Sequence, residues 1–135
     1  MKNKNQLSLY SLILFLSLFL VQACKDKEET ELFPSDRLTG TWNVSETLEG
    51  DTSVAKYKAD VTRKDNDYIN ITSKMSNPPS YHLTENTVKV NWTDKKLERP
   101  GTTVSGTIKN ENDFTIEYAF GNLSGVYSVT QHYTR

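Results

Sequence analysis

The chain has 135 residues, of which 16 are Lys or Arg and 17 are Asp or Glu, so its formal net charge at pH 7 is −1. This near-neutral balance lacks the electrostatic signature of a nucleic-acid-binding protein. The single cysteine, Cys24, excludes a disulfide within the chain, and it leaves no second cysteine for a Cys/His zinc site.

The first 23 residues have the pattern of a signal peptide. Lys2 and Lys4 precede an apolar run, Leu7 to Val21, that contains no charged residue. Its 15 residues suit the apolar region of a signal peptide and fall short of the about 20 needed to span a membrane. Removing residues 1–23 removes both lysines, which leaves 14 basic and 17 acidic residues, a balance of −3.

The segment Val21-Gln22-Ala23-Cys24 resembles the lipobox of bacterial lipoproteins. This resemblance implies cleavage before Cys24, acylation of its thiol and a membrane anchor. The run Lys25-Asp26-Lys27-Glu28-Glu29 resembles the export signal of surface lipoproteins in the Bacteroidota. We therefore expect attachment to the outer membrane with exposure at the cell surface, and a periplasm-facing position is the alternative. Residues 24–37 are predicted to be the lipidated cysteine and a flexible charged stalk.

Residues 38–135 are predicted to form one all-β domain, because their apolar residues recur every second position. In the segment from Phe114 to Phe120 every even position is large and apolar, which indicates a strand with one buried face. Similar alternation predicts seven further strands, around Trp42 and Val44, 57–61, 69–71, 81–83, 88–92, 104–108 and 127–133.

Turn residues separate the predicted strands. Asn, Asp and Gly tolerate the positive φ angles of tight hairpins, and they recur near 49–51, 64–66, 76–79, 85–86, 99–101, 110–112 and 121–122. Consecutive short hairpins favour an eight-stranded antiparallel up-and-down barrel, whose closure removes exposed strand edges. A β-sandwich is the alternative architecture.

The first predicted strand carries a family resemblance. Leu38-Thr39-Gly40-Thr41-Trp42 is similar to the Gly-x-Trp opening of lipocalins and their relatives. The pattern over most of residues 38–135 resembles small lipocalin-like lipoproteins of the Bacteroidota. The resemblance implies that Gly40 and Trp42 close one end of the barrel and that a basic residue packs over the tryptophan. Arg135 is the expected partner, with Arg37 as a rival.

The predicted barrel is short and rich in aromatic residues, so we expect side chains to fill it. The longer turns are predicted to lie at the end opposite the termini, where loops on a rigid scaffold commonly carry function. The candidate residues for binding a ligand or partner there are Asn77, Pro79, Tyr81, Trp92, Lys95 and Arg99.

No set of residues for catalysis stands out. His82 and His132 fall on different predicted strands, and there is no Gly-x-Ser-x-Gly elbow. A Ser-His-Asp trio could assemble from distant positions, but the sequence singles out none. We therefore expect no enzyme activity, metal or cofactor. The leading hypothesis is a membrane-anchored lipoprotein whose barrel is a non-catalytic interaction module. The alternatives are a small-ligand-binding lipocalin-like protein and an inhibitor of a hydrolase or protease.

Overall fold

A computed structural model describes residues 32–135. After one turn of 3₁₀ helix at Asp36–Leu38, the chain forms eight strands: β1 (Gly40–Leu48), β2 (Ala55–Asp65), β3 (Tyr68–Ser73), β4 (Glu85–Asn91), β5 (Lys96–Glu98), β6 (Ser105–Asn110), β7 (Asp113–Asn122) and β8 (Gly125–Thr134). Within this part of the chain, no helix is long and apolar enough to cross a membrane. The predicted signal peptide, Cys24 and most of the predicted stalk lie outside the described residues.

Each strand pairs antiparallel with the next, and β8 pairs with β1, so the sheet closes into an up-and-down barrel. This confirms the predicted fold class and excludes the sandwich. Alternate side chains point inward, because successive residues of a strand face opposite sides of the sheet. In β1, Trp42 and Val44 are buried while Thr41 and Asn43 are exposed. The inward apolar residues of the eight strands form one core cluster.

The two ends of the barrel differ. One end, here called the closed end, carries the 3₁₀ helix, the C-terminal Arg135 and the short connections at 66–67, 92–95 and 111–112. The other, here called the loop end, carries the connections at 49–54, 74–84, 99–104 and 123–124.

A fully buried tryptophan plugs the closed end. The Trp42 indole donates a hydrogen bond to the carbonyl of Leu38 (2.9 Å), and the Arg135 guanidinium lies 4.1 Å above its ring. Arg135 also donates to the carbonyls of Thr39, Arg37 and Glu111 at 2.7–3.1 Å. Gly40 has a φ of +132°, and a Cβ there would lie 3.3 Å from the Arg135 side chain. Glycine is therefore suited to this position for both conformation and space.

The strand predicted at 81–83 is wrong, because these residues belong to the loop between β3 and β4. The side chains of Tyr81 and Leu83 pack on the core from that loop, which explains their apolar spacing. The predicted turn at 85–86 lies inside β4 instead, and the short β5, which the sequence did not predict, lies between the predicted strand at 88–92 and the predicted turn at 99–101. Because there is no strand at 81–83 and β5 is present instead, Trp92 and Lys95 lie at the opposite end of the barrel from the one predicted.

Candidate functional site

A buried carboxylate interrupts the apolar lining of the barrel near the loop end. Glu46 follows Trp42 and Val44 on the inward face of β1, and only 1% of its surface is exposed. Its Oε2 accepts hydrogen bonds from the Tyr57 hydroxyl (2.9 Å) and the Gln131 amide (2.6 Å). Register places Gln131 directly opposite Glu46 on β8. Burying a carboxylate is costly unless donors surround it, and β2 and β8 supply them.

The loop at 74–84 contributes a third contact to the same oxygen. Nδ1 of His82 lies 2.7 Å from Oε2 of Glu46, and its Nε2 lies 2.8 Å from Oγ of Ser73. The side chains of His82 and Glu46 are both fully buried, and the 8% exposure of His82 as a whole residue comes from its backbone. The ring of Tyr57 packs edge-on against the imidazole, with centroids 4.9 Å apart.

The Tyr118 hydroxyl holds the loop in a second place. It donates to the carbonyl of Tyr81 (3.0 Å) and accepts from the backbone N–H of Leu83 (3.3 Å). His82 therefore enters the barrel between two backbone groups that are fixed to β7. These bonds and the contact with Glu46 seat the middle of the loop on the mouth of the barrel.

The tyrosines around Glu46 are held in their protonated form. Burial raises the pKa of Tyr57, Tyr118 and Tyr133, and the negative charge of Glu46 adds to the effect. A protonated hydroxyl can donate, and Tyr133 donates to the Gln131 side-chain carbonyl at 2.7 Å. Gln131 therefore links Tyr133 to Glu46 through two successive hydrogen bonds.

Three buried polar atoms in this region have no hydrogen-bond partner among the described residues. They are Oε1 of Glu46 and both side-chain atoms of Asn86, a residue that is 3% exposed and the first inward position of β4 at the loop end. Oε2 of Glu46 has three hydrogen-bonding partners, whereas Oε1 has none within residues 32–135. Buried polar groups are normally hydrogen-bonded, so each exception calls for an explanation, such as stored strain, a catalytic role or a bound water or ion.

A surface groove of about 320 Å³ lies on the outer wall of the barrel at the loop end. Two carboxylates, Glu49 and Glu117, contribute to it, and none of its lining residues is basic. Glu49 is positioned by the β1–β8 junction, because its Oε2 accepts the backbone N–H of Ser128 at 2.9 Å. Val126 also lines the groove, and together with Leu123 it is an exposed apolar residue of the β7–β8 hairpin.

The structure separates the six predicted binding residues. Asn77, Pro79 and Tyr81 lie in the loop at 74–84, and Arg99 begins the loop at 99–104, so four are at the loop end. Trp92 and Lys95 are at the closed end, where the Lys95 ammonium lies 3.7 Å from the centre of the Trp92 ring. Arg37 also stacks on Trp92, at 5.1 Å, so it does not compete with Arg135 for Trp42.

Sequence reasoning missed the polar residues inside the barrel. Glu46 and Gln131 occupy positions whose neighbours two residues away are apolar, such as Val44 and Tyr133. A charged or amide side chain at an inward position was the available signal. Ser73 and His82 gave no comparable signal, because their meeting depends on the path of the loop. In residues 32–135, no group of three or more His, Cys, Asp or Glu side chains is placed to hold a metal ion.

No protein-family model matches the chain, and no curated protein sequence is significantly similar to it. Among solved structures, one described as a redesigned beta barrel is similar, with a TM-score of 0.52 and 14% sequence identity. The similarity covers 78% of this chain and 96% of that protein. At this identity the likeness shows the barrel fold alone.

Proposed function

We propose that the protein is a membrane-anchored envelope lipoprotein whose barrel is an interaction module and binds a protein partner through its loop end. The anchor rests on the lipobox-like segment ending at Cys24 and on the charged run after it. The outer-membrane and cell-surface assignment rests on the same residues.

The observation that carries the proposal is the position of the chain entry relative to the groove. The described chain enters the barrel at the closed end, where the backbone N–H of Ser35 donates to the carbonyl of Asn66 and Phe33 packs under Arg63. A lipid on Cys24 would therefore be connected to the barrel at its closed end, through the short stalk. The acidic groove is at the other end, which is the end free to meet a partner.

The chemistry of the groove favours a basic partner. Two carboxylates without a basic residue in the lining create a local negative potential, which attracts a Lys or Arg side chain. The exposed Leu123 and Val126 add an apolar border. A protein surface that presents a cationic side chain beside apolar residues would match both features.

The test uses the tagged, lipidated protein purified in mild detergent from its own membranes. We expect a stoichiometric protein partner that is lost when Glu49→Gln and Glu117→Gln are combined. The matched control combines Glu98→Gln with Asp67→Asn, which removes the same charge from exposed positions outside the groove. Loss of the partner from both variants, or retention in both, would reject the groove. Fatty-acid labelling of wild type and Cys24→Ser tests the anchor separately.

A second candidate function is binding of a small polar ligand under the loop at 74–84. Oε1 of Glu46 and the side-chain amide of Asn86, which have no partner in the part of the chain that the structure describes, favour it, because a ligand with hydrogen-bond donors and an acceptor would satisfy them. Native mass spectrometry of the purified protein tests it. A bound mass that disappears from Glu46→Gln and Asn86→Ala would support it, and a barrel of unmodified mass would reject it.

A further inference from the structure

Three side chains from separate parts of the chain form a hydrogen-bonded series at the loop end. Ser73 ends β3, His82 lies in the following loop and Glu46 lies on β1. Ser73 Oγ is 2.8 Å from His82 Nε2, and His82 Nδ1 is 2.7 Å from Glu46 Oε2. The order of groups is hydroxyl, imidazole and carboxylate, with each ring nitrogen used once.

The carboxylate determines the direction of the hydrogen bonds. A carboxylate only accepts, so Nδ1 of His82 carries the proton that is donated to Glu46. In the neutral ring, Nε2 is then an acceptor and receives the Ser73 hydroxyl proton. The backbone N–H of Met75 donates to Ser73 Oγ at 3.1 Å, which leaves the hydroxyl hydrogen free for His82. This is the arrangement in which imidazole acts as the base for a serine nucleophile.

The carboxylate and the imidazole are more deeply buried than the serine, as such chemistry requires. The side chains of Glu46 and His82 are fully buried, and Tyr57 and Gln131 hold the carboxylate in place. Ser73 is only partly buried, at the point where β3 gives way to the loop. Of the three residues, Ser73 is therefore the one with access to solvent, and hydrogen bonds hold the base next to it in a fixed orientation.

We propose that Ser73 is a nucleophile that attacks carboxylic esters, with His82 as its general base and Glu46 as the positioning residue. Ser73 Oγ bonds to the ester carbonyl carbon while its proton moves to His82 Nε2. The carbon–oxygen bond to the alcohol then breaks, and His82 returns the proton to the leaving alcohol. Water, deprotonated by His82, attacks the acyl-serine and releases the carboxylic acid, and the proton returns to Ser73. This inference goes beyond the proposed binding function and does not depend on it.

The first test is labelling of the folded full-length protein with a fluorophosphonate, which forms a covalent adduct with an activated serine and releases fluoride. We expect one adduct, located at Ser73 by tandem mass spectrometry. Ser73→Ala should abolish it, whereas Ser76→Ala and Ser80→Ala, in the same loop, should leave the labelling rate unchanged. Hydrolysis of a small aryl ester should show the same pattern.

The second test separates reactivity from structural support. His82→Gln and Glu46→Gln should slow labelling by 10²–10⁴-fold, the range of a general base and its orienting acid. Circular dichroism and thermal unfolding will show whether each variant is folded. Should both variants unfold, the labelling of wild type and its loss in Ser73→Ala still decide the proposal. Absence of an adduct on wild type, adducts spread over several serines, or equal labelling of a folded His82→Gln variant would overturn it.

Discussion

Replacing Glu46 with alanine should strongly destabilise the barrel. The substitution removes the acceptor of the Tyr57 hydroxyl, the His82 ring and the Gln131 amide. A buried donor left without a partner costs about 1–3 kcal/mol, and two of the three donors, the His82 ring and the Gln131 amide, lie at buried positions. Tyr57 is only partly buried and can turn toward water, so we expect a loss of about 3–5 kcal/mol rather than the sum of three donors.

This loss is a large part of the total stability. A domain of about 100 residues has a free energy of unfolding of roughly 5–15 kcal/mol. Each kcal/mol lowers the melting temperature of such a domain by about 4–8 °C, so the expected decrease is at least about 12 °C. Urea unfolding followed by circular dichroism measures the change directly.

Glu46→Gln is the informative comparison. The glutamine carbonyl can replace Oε2 as acceptor, and the cost of burying a negative charge disappears. The amide nitrogen takes the position of Oε1, which has no partner among the described residues, so it gains no bond. We expect the variant to stay within about 1–2 kcal/mol of wild type. A Glu46→Ala protein as stable as wild type, or a Glu46→Gln protein as unstable as Glu46→Ala, would refute this account of the cluster.

Three other outcomes follow from the contacts described. Arg135→Ala should lower the free energy of unfolding by about 2 kcal/mol, since three hydrogen bonds and the stacking on Trp42 are lost. Arg99→Ala is the control. Equal effects of the two substitutions in chemical denaturation would refute the role of Arg135 in closing the barrel end. Gly106→Ala should destabilise the fold by about 1–3 kcal/mol, because a Cβ there would collide with the carbonyl oxygen of Thr115. Gly121→Ala is the control, since its Cβ would meet only the end of a side chain at 4.0 Å. Similar melting temperatures for the two variants would contradict this account of the packing around Gly106. Alkaline pH should unfold the protein, because burial raises the pKa of Tyr57, Tyr118 and Tyr133 in the folded state. The unfolded chain releases these protons near pH 10, so stability is complete below about pH 10 and falls above it. The chain has seven tyrosines, so the absorbance of these three is obtained by comparison with the matching Tyr→Phe variants, and their ionisation while circular dichroism stays native would refute this.

The barrel was predictable because its inward residues repeat at a period of two over long strands. The alternation from Phe114 to Phe120 lies within β7. Where the repeat is short, the same reasoning fails. β5 has a single inward residue, Leu97, between two exposed charged residues, and nothing in three residues distinguishes it from a turn. Tyr81 and Leu83 alternate like a strand but reach the core from a loop.

The candidate site was much less predictable, because it depends on where distant segments meet. Glu46 and Ser73 are connected only through His82, whose ring lies within hydrogen-bonding distance of both side chains. His82 is placed in turn by a loop whose backbone hydrogen-bonds to the Tyr118 hydroxyl. No spacing in the sequence encodes these contacts. Trp92 and Lys95 show how one wrongly predicted strand affects a site. In an up-and-down barrel, that single error put both residues at the wrong end.

The interior of the barrel differs in polarity between its two ends. At the closed end the interior is aromatic, with Trp42 edge-on to Phe114 at 4.6 Å and Phe114 stacked on Tyr133 at 4.4 Å. Such packing stabilises a fold without help from charges. Toward the loop end, Glu46 and Asn86 are buried with atoms that find no partner in the described chain. Apolar residues would serve stability better at both positions. We therefore propose that these polar residues serve contacts made when the barrel acts, at the end beneath the loop at 74–84.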